Sequence, residues 1–197
     1  MMMFGLSSST PHDTTLICPS ANPRLRRVLN EHTRAASAAR VERLSWLFWL
    51  LQVRQPTQLL LDGQLDPMDT LVAAAALSQG GSGRIRHVAK TPSQETSVLL
   101  QAASLEWVCS HCAVERKAVA AADALLIGST DQSAIQSIGQ WIPQLRAGAL
   151  IIATEPALNR TRTQAICRQL TECHPGLENL ILAPRTMPLL TMIWRGH

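Results

Sequence analysis

Three aspartates stand close together in the stretch Leu59-Leu60-Leu61-Asp62-Gly63-Gln64-Leu65-Asp66-Pro67-Met68-Asp69-Thr70. Carboxylates at that spacing can gather round a divalent cation, or they can serve the start of a helix. The helix accounts for two of them: Asp66 suits a cap, Pro67 suits the first turn, and Asp69 adds negative charge near the positive end of the helix dipole. Farther along, Gly128-Ser129-Thr130-Asp131 follows one apolar run and Thr154-Glu155 follows another. Asp131 and Glu155 are the carboxylates in those two segments, which makes them the candidate catalytic bases. Asp131 also suits the cap of a helix beginning near Ser133, and that use is favoured. Cys109-Ser110-His111-Cys112 has the spacing of a zinc half-site or a redox pair, and Cys167, Cys173 and His174 are available to complete it. No second C-x-x-C exists, so the thiols are expected to pack as small apolar groups and no metal is expected. His87, His111 and His174 are possible general bases, but no serine or cysteine nucleophile is set beside them by sequence. Gly80-Gly81-Ser82-Gly83 comes after a helix and before a strand. Phosphate loops have the opposite order, so this cluster reads as a helix stop.

The elements that must position these residues alternate regularly. Apolar strand-like runs fall at Gln58–Asp62, Arg84–Val88, Leu105–Cys109, Ala124–Gly128 and Ala149–Ala153. Helix-like stretches separate them at Pro67–Ser78, Ser93–Ala103, Ser133–Leu145 and Arg160–Thr171. Short strands alternating with helices imply βαβ units and a parallel sheet covered on both faces. Two last runs, Leu177–Ala183 and Leu189–Trp194, are too close in sequence for a crossover, so they predict a terminal antiparallel hairpin. Upstream, one long helical region is expected over Pro23–Val53, ending in the all-apolar run Trp46-Leu47-Phe48-Trp49-Leu50-Leu51. Residues 1–22, rich in Ser, Thr and Pro, predict a flexible arm. Residues 23–197 then make one domain, a helical region over 23–55 joined to an α/β core over 56–197.

Composition narrows the function classes. The chain has 197 residues, of which 46% are hydrophobic, enough for one sizeable core. No apolar stretch is long enough to span a membrane, and no secretory leader is evident. Five cysteines without a framework spacing fit a reducing cytoplasm. The net charge of +4 resides wholly before Gln58, where seven arginines face three carboxylates. A basic first helix of this kind suits an acidic partner surface or simply a solvated face. Nucleic-acid binding is not expected, because aromatics are only 4% of the chain and do not alternate with the basic residues.

Several segments, in order, resemble the class I S-adenosylmethionine-dependent methyltransferases, in particular the small-molecule O-methyltransferase branch. "PTQLLLDG" before a helix is similar to that family's first strand and cofactor turn, and "GRIRHVAKTPS" to the end of its second strand. "AADALLIGSTDQS" resembles the fourth strand and its loop, "IPQLRAGALIIATEP" the fifth strand with its preceding turn, and "LENLILAPRTMPLLTMIWRG" the closing hairpin. The resemblance covers about residues 40–197. It implies a Rossmann-like, doubly wound α/β sheet of five parallel strands plus a C-terminal antiparallel hairpin. It also implies that Asp62, Gly63, Gln64, Gly128 and Ser129 line the cofactor wherever cofactor binding survives.

The departures from the family pattern carry the functional expectation. With Gly63 aligned to the first glycine of the cofactor turn, Leu65 and Pro67 replace the next two, and Pro67 lacks an N–H. Asp66 and Asp69 are expected to place repulsive negative charge where the cofactor's carboxylate would lie. Ala89 and Lys90 stand where the family has a ribose-binding acid, and Gly128 and Thr154-Glu155 where its metal-dependent members have metal ligands. The expectation is therefore a pseudoenzyme: a methyltransferase-fold protein with a degraded cofactor site and no cofactor, acting through a protein partner or as a homo-oligomer. Its expected partner surface is Trp46, Phe48, Trp49, Arg40 and Arg43. The alternative is an active S-adenosylmethionine-dependent O-methyltransferase acting on a small molecule.

Overall fold

A computed structural model of the chain describes residues 17–18, 20, 22–63, 65–81, 83–88, 92–111, 122–128, 132–154, 160–179 and 189–196. Among these, helices α1 (Pro23–Thr33) and α2 (Ala38–Arg54) precede a seven-stranded sheet. The sheet elements and their crossovers are β1 (Gln58–Asp62), α3 (Pro67–Gln79), β2 (Arg84–His87), α4 (Gln94–Ala102), β3 (Cys109–His111), β4 (Ala122–Ile127), α5 (Gln132–Trp141), β5 (Leu145–Thr154), α6 (Arg160–Cys173), β6 (Leu177–Asn179) and β7 (Leu189–Trp194). The strand order is β3-β2-β1-β4-β5-β7-β6. The first five strands in that order are parallel, and β7 runs antiparallel to both β5 and β6. This is the doubly wound sheet with a closing hairpin that the alternating pattern predicts.

Strand periodicity explains how the core divides. Successive side chains point to opposite faces. Leu59 and Leu61 therefore join α1 to α4 on one side, with Ile85, Leu126 and Ile152. Leu60 joins Ile127, Ile151, Trp141 and Leu170 on the other side. Every residue of α3 from Met68 to Leu77 is buried, because α2 packs on its outer side while the sheet lies beneath. Ala73–Ala76 let those backbones approach closely.

Three expectations need correction. The long N-terminal helix is two helices: Thr33 turns its hydroxyl back onto the Leu29 carbonyl at 2.7 Å, and Ser37 caps a new helix by accepting from the Arg40 N–H. The third strand is Cys109–His111, since Glu106–Val108 coil into a 3-10 turn ahead of it. Of the expected flexible arm, Ile17, Cys18 and Ser20 are buried. The stretch Leu180–Ala183 of the expected hairpin lies outside the described residues. Among the described residues, no helix is long and apolar enough to cross a membrane.

Candidate functional site

The sheet reverses its winding direction between β1 and β4, and ligands of open parallel sheets bind beside the carboxyl ends of strands at such a switch point. Asp62 pairs in register with Ile127, and the Gly128 N–H reaches the Asp62 carbonyl at 3.4 Å, so the two strand ends finish side by side. Gly63 follows with φ +81°, and among the described residues nothing lies within 4 Å of where a β-carbon would stand. This left-handed conformation favours glycine and leaves an open face of backbone at the end of β1. Asp62 itself is buried and accepts a hydrogen bond from Trp141 Nε1 at 2.8 Å, which ties β1 to α5 across the second core layer. A buried indole needs such an acceptor. That need is the signal that could have linked these two residues, which are 79 positions apart.

The first turn of α3 is built beside this opening. Asp66 caps it by accepting from the Met68 N–H at 2.9 Å, and the Asp66 carbonyl accepts from the Asp69 and Thr70 N–H groups. Pro67 contributes no donor. The helix start therefore consumes its own N–H groups, as its sequence predicts.

The charges are not arranged as expected. Arg40 Nη2 donates to both oxygens of Asp66, at 2.9 and 2.8 Å. Arg43 Nη2 lies 3.4 Å from Asp66 and 3.0 Å from Asp69. Two guanidinium groups and two carboxylates balance, so Asp66 and Asp69 do not leave net negative charge at the opening. Burial raises Asp69 to about 6 even with the Arg43 guanidinium beside it. The Thr154 hydroxyl, at the end of β5, stands between Asp69 and the Ile127 carbonyl. Thus α2, α3 and the ends of β4 and β5 meet at one four-charge clasp. Its hydrogen bonding is incomplete on both sides: among the described residues, Arg43 Nη1, Arg40 Nε and both carboxylate oxygens of Asp69 are buried without a hydrogen-bond partner.

The clasp also corrects the expected partner surface. Arg43 is only 2% exposed and Phe48 is fully buried. The 3.6-residue period of α2 turns Val41, Leu44, Leu47, Phe48 and Leu51 inward. Trp46 packs against the same core, and Arg40 is engaged with Asp66. Trp49, 45% exposed and edge-on to Phe48 at 5.5 Å, is the member of that set standing in solvent. An arginine on the apolar face of an otherwise hydrophobic helix was the signal for the Arg43 pairing. Its partners lie 23 and 26 residues away and are not fixed by local pattern.

The other expected residues are not brought together with the clasp. Gln64, Ser129, Asp131 and Glu155 lie outside the described residues, as do Ala89, Lys90 and Cys112. Cys109 is partly buried, and burial raises its thiol to about 12, far from the thiolate that metals and disulfide exchange require. Among the described residues, no three His, Cys, Asp or Glu side chains are placed to hold a metal ion.

Neither a family model nor a curated protein matches the sequence. Solved structures do match the fold. Cofactor-bound Rv0187 from MTB superimposes with a TM-score of 0.63 at 19% identity, over 89% of this chain and 91% of that one. The O-methyltransferase TomG from Streptomyces achromogenes, in complex with SAM, gives 0.58 at 14%, over 93% and 94%. An O-methyltransferase from Bacillus cereus in complex with SAH gives 0.56 at 17%, over 94% and 93%. The chain has the class I methyltransferase fold. S-Adenosylmethionine is the group this fold implies, and the residues present accommodate it in part. Gly63 supplies the open backbone, and the charges of Arg40, Arg43, Asp66 and Asp69 beside it balance. What differs from the family pattern is the donor set, since the start of α3 has no N–H to spare.

Proposed function

We propose that the chain binds S-adenosylmethionine at the carboxyl edge between β1 and β4 and is a methyltransferase acting on a hydroxyl of a small molecule. One observation carries this reading above the others: the charges beside Gly63 are balanced, and among the described residues nothing fills the space beside the glycine at the switch point of the sheet. The electrostatic reason for expecting no cofactor therefore does not hold. Solved proteins of the same fold that carry SAM or SAH support the same reading.

When bound, the cofactor supplies an electrophilic methyl group for an acceptor oxygen. The chain's own tasks are to hold the ligand at Gly63 and to keep that edge rigid. The Trp141–Asp62 bond and the clasp provide the rigidity, by tying α5, α2 and α3 to the ends of β1 and β5. Asp131 and Glu155, which follow β4 and β5 in the chain, are the carboxylates proposed to take the acceptor's proton. Isothermal titration with S-adenosylmethionine and S-adenosylhomocysteine tests the reading. A dissociation constant in the micromolar range or below supports it, and no heat together with no thermal shift overturns it.

A second reading keeps the fold without the chemistry, as a protein-interaction component. It is favoured by the first turn of α3, whose donors are already used, and by the exposed Trp49 on α2. Trp49→Ala separates it. A changed sedimentation coefficient would support an interaction surface, and an unchanged one would leave Trp49 as an ordinary exposed side chain.

A further inference from the structure

The clasp uses only part of the positive charge that precedes Gln58. Arg24, in the first turn of α1, donates from Nη1 to the Ser104 hydroxyl at 2.7 Å. Asn22 docks the same helix start by donating from Nδ2 to the Ala103 carbonyl at 3.2 Å. Ser104 follows α4 with φ +56°, in the left-handed region, and the Leu105 N–H reaches back to the Leu100 carbonyl at 2.8 Å. Glycine is the usual residue at such a helix end, because a β-carbon is strained there. Here a serine holds that conformation, and its hydroxyl receives Arg24. The Ser104 carbonyl accepts from Trp107 Nε1 at 3.2 Å, which orients an indole that is 50% exposed. The Arg84 guanidinium lies over that ring, 5.1 Å from its centroid. So α1, the end of α4 and the start of β2 converge on one surface, in the order Arg24–Ser104–Trp107–Arg84. It lies at the amino edge of the sheet, since Arg84 pairs in register with Gln58 while Gly63 follows the other end of β1.

Among the described residues, Arg24 and Arg84 form no ion pair, and Glu106, exposed beside Trp107, pairs with neither. Their hydrogen bonds go to neutral acceptors, the Ser104 hydroxyl and, from Arg84 Nη1 at 3.1 Å, the Gly83 carbonyl. Guanidinium groups held by a hydroxyl, a carbonyl and a ring keep their charge and most of their N–H donors. They have also lost part of the side-chain freedom that binding would otherwise remove. Arginine and tryptophan are enriched where protein surfaces meet.

We propose that the Arg24–Ser104–Trp107–Arg84 surface docks an acidic segment of a polypeptide partner, with its carboxylates on the two guanidinium groups and an apolar part on the Trp107 ring. Carboxylates match planar guanidinium donors in charge and geometry. Nucleic acid fits less well, because Arg84 lies over the indole and stacking successive bases needs a series of open rings. The surface is separate from the edge that carries Gly63, so the proposal stands independently of the adenosyl reading.

The test is binding of a fluorescein-labelled polyglutamate peptide of about six residues, the length of a short acidic block, to the full chain at low ionic strength. A dissociation constant below about 1 mM is expected from the anisotropy titration. Arg24→Gln with Arg84→Gln should weaken binding about tenfold, whereas Arg34→Gln with Arg168→Gln, which removes the same charge elsewhere on the surface, should weaken it less than about threefold. Ser104→Gly separates binding from folding. The unfolding midpoint should stay unchanged or rise, while loss of the hydroxyl that orders Arg24 should weaken the peptide about twofold to threefold. No binding by the unaltered chain, an equal loss from both double variants, full-strength binding by Ser104→Gly, or tighter binding of a single-stranded oligonucleotide of the same net charge would each overturn the proposal.

Discussion

The two edges of the sheet each carry a partly buried aspartate cluster, and they are finished differently. At the amino edge, Asp123 accepts from the Thr57 N–H at 2.8 Å, the Gln58 N–H at 3.0 Å, the Thr57 hydroxyl and Arg146 Nη1 at 2.9 Å. Burial alone would raise its pKa, but those donors outweigh burial and hold the carboxyl below its ordinary range. At the carboxyl edge, burial prevails and raises Asp69 to about 6, and among the described residues both its carboxylate oxygens and two guanidinium N–H groups beside it make no hydrogen bond. The amino-edge cluster saturates its carboxylate and pins the start of β1 to β4. The carboxyl-edge cluster balances charge but leaves buried donors and acceptors unpaired. A saturated cluster is a structural tie, whereas the other is a buried polar network that its own members satisfy only in part.

The largest effect that would sharpen this contrast comes from Arg43→Met. It leaves Asp69 buried without its cation and is expected to cost about 3–5 kcal/mol in urea unfolding. Arg43→Met with Asp69→Leu should recover most of that loss, since an apolar pair of similar volume replaces a buried ion pair at little cost. At the opposite edge, Asp123→Ala removes the acceptor of two backbone N–H groups and should cost about 1–3 kcal/mol, with ligand affinity unchanged. A ligand effect there would erase the distinction between the edges.

The pH dependences of the two edges have opposite signs. The folded-state pKa of Asp69 lies above its ordinary 3.8, so the folded protein holds that proton longer than the unfolded chain. Its contribution favours folding at low pH, and that advantage is lost as pH rises from 3.8 through about 6. The lowered pKa of Asp123 does the reverse: its stabilisation is present above 3.8 and disappears as pH falls through the folded value. Asp69→Asn should flatten the stability profile between 3.8 and about 6, read by chemical unfolding at several pH values, and Asp123→Asn should leave that window unchanged. The smallest expected change is for Trp49→Ala, within about 0.5 kcal/mol, because the ring stands largely in solvent.

The sheet, its winding and its closing hairpin were legible because they rest on periodicity. Leu59–Asp62 reads as a buried strand, Asp66-Pro67 as a helix start, and the short segment before Leu189 as an antiparallel return, each from local residues. Of the candidate site, the sequence marks Gly63 and the acids that start α3. The sequence places Asp66 and Asp69 as negative charge but not as paired charge, because Arg40 and Arg43 reach them through tertiary packing of α2 on α3. The same limit applied to Phe48. An apolar run shows that burial is required, but only the helix's rotation on the core decides that Trp49 and not Phe48 faces water. The Trp141–Asp62 bond was hidden for the same reason, being a contact between distant parts of the chain that only the folded sheet brings together.

The most direct test of the account is a crystal structure of the chain grown with saturating S-adenosylhomocysteine. The account predicts density for the nucleoside against Gly63, between the ends of β1 and β4. An empty carboxyl edge, or the nucleoside bound elsewhere on the molecule, would contradict it.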